Sequence, residues 1–423
     1  TALAQGRLNF LDFVTDPAVR ASILDGTCVT DLKTQLQAFR AALAASPVRI
    51  TGYFPAGLYT YSLSPNWAID NLSIMSDGAR FRYTGTGRAF IFDAILGTAT
   101  VTTPNFCYGV RWLGHTFVEA PGTALNCLYM RSIHHPIFES WNFRGCGSTS
   151  AAVLVEFSVC AAFINPVVSG NEGGWYLGAK PAKALTLDAY AIGADSGQTS
   201  YCLFLNPIFE GTTIGVELKS TLGNNFIAGT VEACSDIGVL CQAGGTQDKF
   251  YGVDLEGNTN EDFLIYGWGM VIDKCETLTK IRIPSGFENQ ILGGRHVSLV
   301  CEASAHHNRF DHCEYDRLTA GGALSDSGTY NSFAGCKKPS SPFRGRPLGN
   351  VAITVTASPM TISNITGDPQ YYTVTGGTVT GVFHARFGVG QAEGHYSGKE
   401  YMLLPGEDLV LVYTAAPTIT SFK

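Results

Sequence analysis

Three carboxylates, Glu232, Glu256 and Asp254, are spaced in a way that would bring them together. Glu232 lies eight residues after Asn224, and Glu256 lies eight residues after Asp248. Asn224 and Asp248 each open the same short phrase, which has an apolar residue two places on and a glycine four or five places on. If the phrase marks equivalent points of a repeat, the two glutamates occupy equivalent points of neighbouring repeats. Asp254 precedes Glu256 by two residues and shares its face if the segment is a strand. No obvious cation neutralises such a patch, so mutual repulsion would raise at least one carboxyl pKa. A carboxylic acid beside a carboxylate is the equipment of glycoside hydrolysis: one group protonates the leaving oxygen while the other attacks or activates water. A separation of about 5 Å suits retention, and one of about 6.5 to 9.5 Å suits inversion. Glu210 and Asp236 are further partners for the same patch.

The same three acids would also suit Ca²⁺. In that alternative, elimination, the ion neutralises a uronate while Arg282, Arg295 or a nearby lysine takes the proton. Arg295 follows Asn289 at the offset at which Asp254 follows Asp248, but about two repeats away. The hydrolytic reading requires no metal and no cofactor. Sugar clefts add aromatic faces, and two pairs stand in loop-like settings: Trp175 and Tyr176 after Gly173-Gly174, and Tyr266 and Trp268 around Gly267. Glu210, Trp175, Tyr176, Trp268 and Arg295 therefore form the expected substrate-binding set. His134-His135 and His306-His307 with His312 lack a convincing third and fourth ligand spacing and read as structural.

These positions need a scaffold that repeats. Copies of the phrase open at Asn206, Asn224 and Asp248, starting 18 and 24 residues apart, with fainter ones at His135, Asn165, Asn289, Asn308 and Asn331. A drifting period of about twenty residues marks a solenoid. Its apolar residues alternate, as in Phe226, Ala228, Thr230, and are broken by Gly and Asn, so the unit is made of strands. Three short strands and three turns make one coil of a parallel β-helix, with equivalent residues about 4.8 Å apart on successive coils. An Asn recurring at a turn would then hydrogen-bond to the Asn above and below.

Residues 32–45 form the one convincing helix, with Leu32, Leu36, Phe39 and Leu43 on one face, Thr30 or Asp31 at its start and Ser46-Pro47 at its end. Such a helix would cover the open end of a β-helix. It leads into Val48-Arg49-Ile50 and Phe54-Pro55-Ala56-Gly57-Leu58-Tyr59. Asp31, Leu36-Gln37-Ala38, the strand and Pro-Ala-Gly-x-Tyr together resemble the entry to pectate-lyase-like β-helix proteins, especially bacteriophage tailspikes and capsule depolymerases. Asn9-Phe10-Leu11-Asp12-Phe13 departs from that family's usual lead-in. The resemblance implies a right-handed parallel β-helix, a bacterial surface polysaccharide as substrate, a virion or extracellular location, and a homotrimer. It carries over no catalytic residue, because family members place theirs on different coils.

The expected organisation is a cap over residues 1–46, a parallel β-helix over 47–338, a Pro-rich basic linker over 339–350 and an antiparallel β-sandwich over 351–423. In the last segment, alternating strands such as Val351–Thr356 and Leu409–Tyr413 are joined by Gly-Gly and Pro-Gly turns. Forty-eight glycines and 15% charged residues fit an all-β chain. A net charge of −7 and a pI near 5.7 argue against nucleic acid or an anionic membrane as partner. No apolar run is long enough to span a bilayer and no signal peptide is visible. The sequence opens on Thr1, as a fragment of a longer chain would. Twelve scattered cysteines without C-x-x-C read as buried hydrophobes, which fits assembly in a reducing cytoplasm. The competing functions are a glycan-binding fibre or adhesin without catalysis, and a polysaccharide lyase.

Overall fold

The computed structural model describes residues 6–46, 48–95, 105–170, 174–192, 195–315, 324–334, 336, 351–355, 357–364, 370–386, 389–403 and 407–422. Two compact units separate at Ser332/Phe333. The expected linker at 339–350 lies outside the described residues.

The first unit is a parallel β-helix: among the described residues the chain passes in turn through three parallel sheets of 13, 11 and 11 strands, the last strand of the first sheet, Ser332–Ala334, straddling the unit boundary. One coil shows how the sequence does this. Asn225–Ile227 lies in the first sheet, Thr230–Glu232 in the second and Ile237–Thr246 in the third. Phe226, Val231, Val239 and Cys241 point into the core, and Ile227, Thr230, Glu232 and Leu240, which alternate with them, are more exposed. Ala228 and Gly229, at φ 55° and 75°, turn the corner between the first two sheets. A Cβ at Gly229 would stand 2.1 Å from the Pro207 carbonyl of the preceding coil, so only glycine fits there.

Stacking supplies the core. Phe163, Phe204, Phe226 and Phe250 occupy one position of successive coils, with ring centroids 5.0, 4.7 and 4.5 Å apart and planes within 7° of parallel. Ten of the twelve cysteines are buried as free thiols, and desolvation raises the pKa of several, Cys234 to about 11.

The Asn ladder exists, but it joins residues in a different way from the one the sequence suggested. Asn224 Nδ2 donates to Asp248 Oδ1 at 2.8 Å, and Asn289 and Asn308 continue through Asn308 Oδ1 and Asn331 Oδ1 at 3.0 Å each. The separations along this ladder are 24, 19 and 23 residues. Asn206 does not belong to it. Leu203 pairs with Asn225, which makes Cys202 the equivalent of Asn224; the backbone N–H of Cys202 indeed donates to Asn224 Oδ1, 22 residues on. Asn206 and Asn165 stand at the next corner with φ near 50° and form their own exposed pair, 3.2 Å apart. The 18-residue step read from Asn206 to Asn224 is therefore not a coil. Asn fills both corners for different reasons, one needing a buried amide and the other a left-handed backbone.

The expected helix is Lys33–Ala44, with Leu36, Phe39 and Leu43 buried. Asp31 Oδ1 accepts from Lys33 N at 3.1 Å, and Phe39 packs 5.1 Å from Phe54 of the first full coil. A second helix, Pro17–Leu24, was not anticipated: its face is short, but Asp16 caps it and Pro17 pre-sets its first turn. Before these helices, Arg7–Asn9 pairs in parallel with Thr51–Tyr53 and starts the first sheet.

The second unit holds two four-stranded antiparallel sheets. Their apolar faces meet in a core that includes Ile362, Tyr372, Val374, Leu403, Leu409, Leu411 and Ile419.

Candidate functional site

Along the second-sheet strands Ile208–Glu210 and Thr230–Glu232 one residue faces the core between two that face outward. Phe209, Val231 and Leu255 are the buried residues. Glu210 pairs with Glu232, and Thr230 pairs with Asp254, which aligns Glu256 with Glu232 two places on. The Ala233 N–H donates to the Glu256 carbonyl at 2.9 Å and carries the same register through the end of the strand. Glu210, Glu232 and Glu256 therefore form one column on the outer wall, each about 4.8 Å from the next. Asp254 stands in the adjoining column, where it pairs with Glu276, and Glu276 with Arg295.

This column sets the electrostatics. Glu232 is raised to about 7, first by desolvation, then by its hydrogen bond to Glu210 and by the charges of Glu210 and Glu256, against a smaller lowering by the Thr230 hydroxyl. Asp254 is also raised, by desolvation and by Glu256 and Glu276. Ser169, one coil before Glu210, donates from Oγ to Glu210 Oε2 at 2.7 Å. The wall thus keeps a proton on Glu232 into the neutral range, between Glu210 and Glu256, an arrangement suited to acid-assisted cleavage of an acetal.

The aromatic loop lies beside these acids. Trp175 is half-buried over Gly170 and close to Gly211, the residues that follow Ser169 and Glu210. Its neighbour Tyr176 lies 5.4 Å from the Arg82 guanidinium, and Arg144 donates to the Gly174 carbonyl at 2.8 Å. Asn171, Glu172 and Gly173, which begin this loop in the sequence, fall outside the described residues.

The wall does not gather every residue of the expected set. Trp268 sits at the corner between the third and first sheets, bridged to Thr246 and Phe287, and its ring stacks 5.8 Å from Phe287. That corner is across the coil from the acids, because Gly267 and Trp268 follow the third-sheet strand Glu261–Ile265 and lead into the first-sheet strand Val271–Asp273. Arg295 is on the correct sheet but two coils beyond Asp254, held 3.6 Å from Glu276 and 3.8 Å from Glu314. Arg282 belongs to the third sheet and binds Glu302 and Glu261. Asp236 lies past the corner that follows Glu232 and accepts from Asn260 at 2.7 Å. Ser169, Arg82 and Arg144 went unrecognised in the sequence. The 41 residues between Ser169 and Glu210, enough for a coil and a long excursion, hide their shared column.

No group of acids, histidines and cysteines among the described residues has the geometry to hold a metal ion. No helix among them is long and apolar enough to cross a membrane.

No protein-family model and no curated protein sequence matches the chain. Solved structures do. The ORF18 product of Geobacillus virus E2 is similar over 98% of this chain and 79% of that one, with TM-score 0.58 and 12% identity. PfbA, a surface adhesin of Streptococcus pneumoniae, is similar over 78% of this chain and 91% of that one, with TM-score 0.52 and 10% identity. The Acinetobacter phage vB_ApiP_P1 tailspike protein matches over 99% of this chain and 86% of that one at 12% identity, with TM-score 0.39. The chain has the parallel β-helix fold that it shares with a phage gene product and a bacterial surface adhesin.

Proposed function

We propose that the protein binds and cleaves a bacterial surface polysaccharide (capsule, exopolysaccharide or O-antigen) by glycoside hydrolysis on the outer wall of the second sheet. The observation that carries this reading is Glu232, raised to about 7 between Glu210 and Glu256. Glu232 gives its proton to the glycosidic oxygen as the bond from that oxygen to the anomeric carbon breaks. Glu256 supplies the electron pair, either by adding to the anomeric carbon or by taking a proton from the water that does. Asp254 stabilises the positive charge that develops on the sugar ring. Glu210, held by Ser169, keeps the proton on Glu232 until transfer. Trp175, beside the acids, and Tyr176, further along the wall, offer rings to the sugar chain. The same reading places the protein on a virion as a homotrimer, with the second unit serving trimerisation or glycan contact.

The test is release of reducing ends from a panel of capsule and O-antigen glycans by the wild type and by Glu232→Gln, Glu256→Gln and Asp254→Asn. Loss of turnover with retained binding supports the assignment. Full activity in all three variants removes it. Calcium dependence with an unsaturated, ultraviolet-absorbing product would mean elimination, and binding without turnover on any glycan would mean an adhesin.

A further inference from the structure

The column that carries the acids changes sign at its other end. Arg82 pairs with Glu119 and Glu119 with Arg144 on successive strands, and the register then runs on through Phe143, Val168 and Phe209 to align Arg144, Ser169 and Glu210. Arg80 joins from the adjoining column of the strand Ala79–Tyr83. Three guanidiniums thus surround one carboxylate. Arg80 Nε donates to Glu119 Oε1 at 2.6 Å and Arg82 Nε to Oε2 at 3.0 Å, while Arg144 is 3.9 Å away. Glu119 is 1% exposed, whereas the side chains of Arg80 and Arg82 are 44% and 27% exposed. Its single charge leaves about two positive charges uncompensated on guanidiniums that partly reach solvent.

The surroundings are those of a binding site. Tyr176 presents its ring against Arg82. On the strand Trp141–Gly145, Asn142 Oδ1 and Arg144 Nε are a buried acceptor and donor with no hydrogen-bond partner among the described residues. Arg144 stands two strands from Glu210 and Arg82 four, so the basic cluster begins about 10 Å from the acids and reaches to about 19 Å at a strand spacing of about 4.8 Å. That is a distance spanned by a short run of sugar units lying along the wall.

We infer that Arg80, Arg82 and Arg144, with Tyr176, form a subsite for a carboxylate-bearing sugar unit, so that the glycan is anionic and lies along the column with its acidic unit at the arginine end. This rests on the wall being a glycan cleft, as proposed above. Guanidinium forks match a carboxylate in two parallel hydrogen bonds. The acids at the other end repel the same group, so the two ends together fix the polarity and register of the bound chain and bring an uncharged unit to Glu232.

The experiment uses binding, so that it stays independent of cleavage. An array of bacterial capsule and O-antigen polysaccharides, both carboxylate-bearing and neutral, is probed with the Glu232→Gln chain. The best-bound polysaccharide is then compared with its carboxyl-reduced form, in which each carboxylate has become a hydroxymethyl group. The expected result is binding confined to carboxylate-bearing glycans, a loss of about tenfold or more on carboxyl reduction, and a similar loss with Arg80→Gln/Arg82→Gln on the unreduced glycan. Carboxyl reduction leaves the protein untouched, so a folding defect in the double variant cannot mimic the effect. Preferred binding of neutral glycans, unchanged affinity after reduction, or no binding to any acidic glycan overturns the subsite. If binding follows the carboxylate but the wild type cleaves nothing, the hydrolytic reading fails and the subsite stands.

Discussion

Glu210 and Glu232 face each other at paired positions of adjacent parallel strands, and their carboxyl groups share a hydrogen bond. Two carboxylates cannot both be ionised in such a bond, so one proton is retained into the neutral range, and Glu232 holds it. The β-helix makes this possible: parallel strands in register bring like side chains to one strand spacing wherever the sequence repeats a residue at the coil period.

Activity should depend on that proton. With Glu232 as acid, turnover falls as pH rises through about 7. Glu210→Gln removes both a neighbouring charge and the hydrogen bond that favours the protonated form, so Glu232 drops towards the ordinary glutamate range. The alkaline limb of the pH–rate profile should move to lower pH in this variant, and an unmoved limb would separate the limb from Glu232.

Stability should show the same group with a definite sign. The folded-state pKa of Glu232, about 7, lies above its ordinary value of 4.5. The folded chain therefore holds a proton that the unfolded chain has released, and this contribution is complete below about 4.5 and is lost as pH rises through about 7. Glu232→Gln abolishes the dependence. Thermal melts at pH 4.5 and pH 8 should show the variant gaining on the wild type at the higher pH, and a constant difference between the two would contradict the assignment.

The buried ladder should be more costly to break than the exposed one. Asn308 accepts from the Asn289 backbone N–H and side-chain amide and donates to Gly286 and Asn331. Asn308→Ala strands several of these groups without water, at a cost of about 2 kcal/mol or more. Asn206→Gly, at an exposed left-handed corner, should stay within about 0.5 kcal/mol. Denaturant unfolding of both variants makes the comparison.

Trp175 should act on binding more than on chemistry. It lies over Gly170 and near Gly211, beside the acids but not among them. Trp175→Ala should raise KM about tenfold or more while kcat changes little. A loss confined to kcat would assign it to the chemical step.

Much of the fold and of the register along its second sheet is legible in the sequence. The register of Glu232, Glu256 and Asp254 followed from Asn224 and Asp248 because those two residues lie in one ladder and one coil apart. The same reasoning misplaced Asn206, since Asn serves two corners and only pairing distinguishes them. Arg80, Arg82, Arg144 and Ser169 were invisible because the coils before Asn206 have irregular lengths and no Asn in the ladder position. Trp268 was misassigned for a related reason: an aromatic beside glycine marks a corner without saying which one.

Carboxyl titration followed by ¹³C NMR on glutamate-labelled protein tests the central claim most directly. One resonance, absent in Glu232→Gln, should titrate near 7 and fall towards 4.5 when Glu210 and Glu256 are both replaced by Gln. If every glutamate titrates at its ordinary value, or if the high one persists in Glu232→Gln, then Glu232 is not the acid this wall was built around.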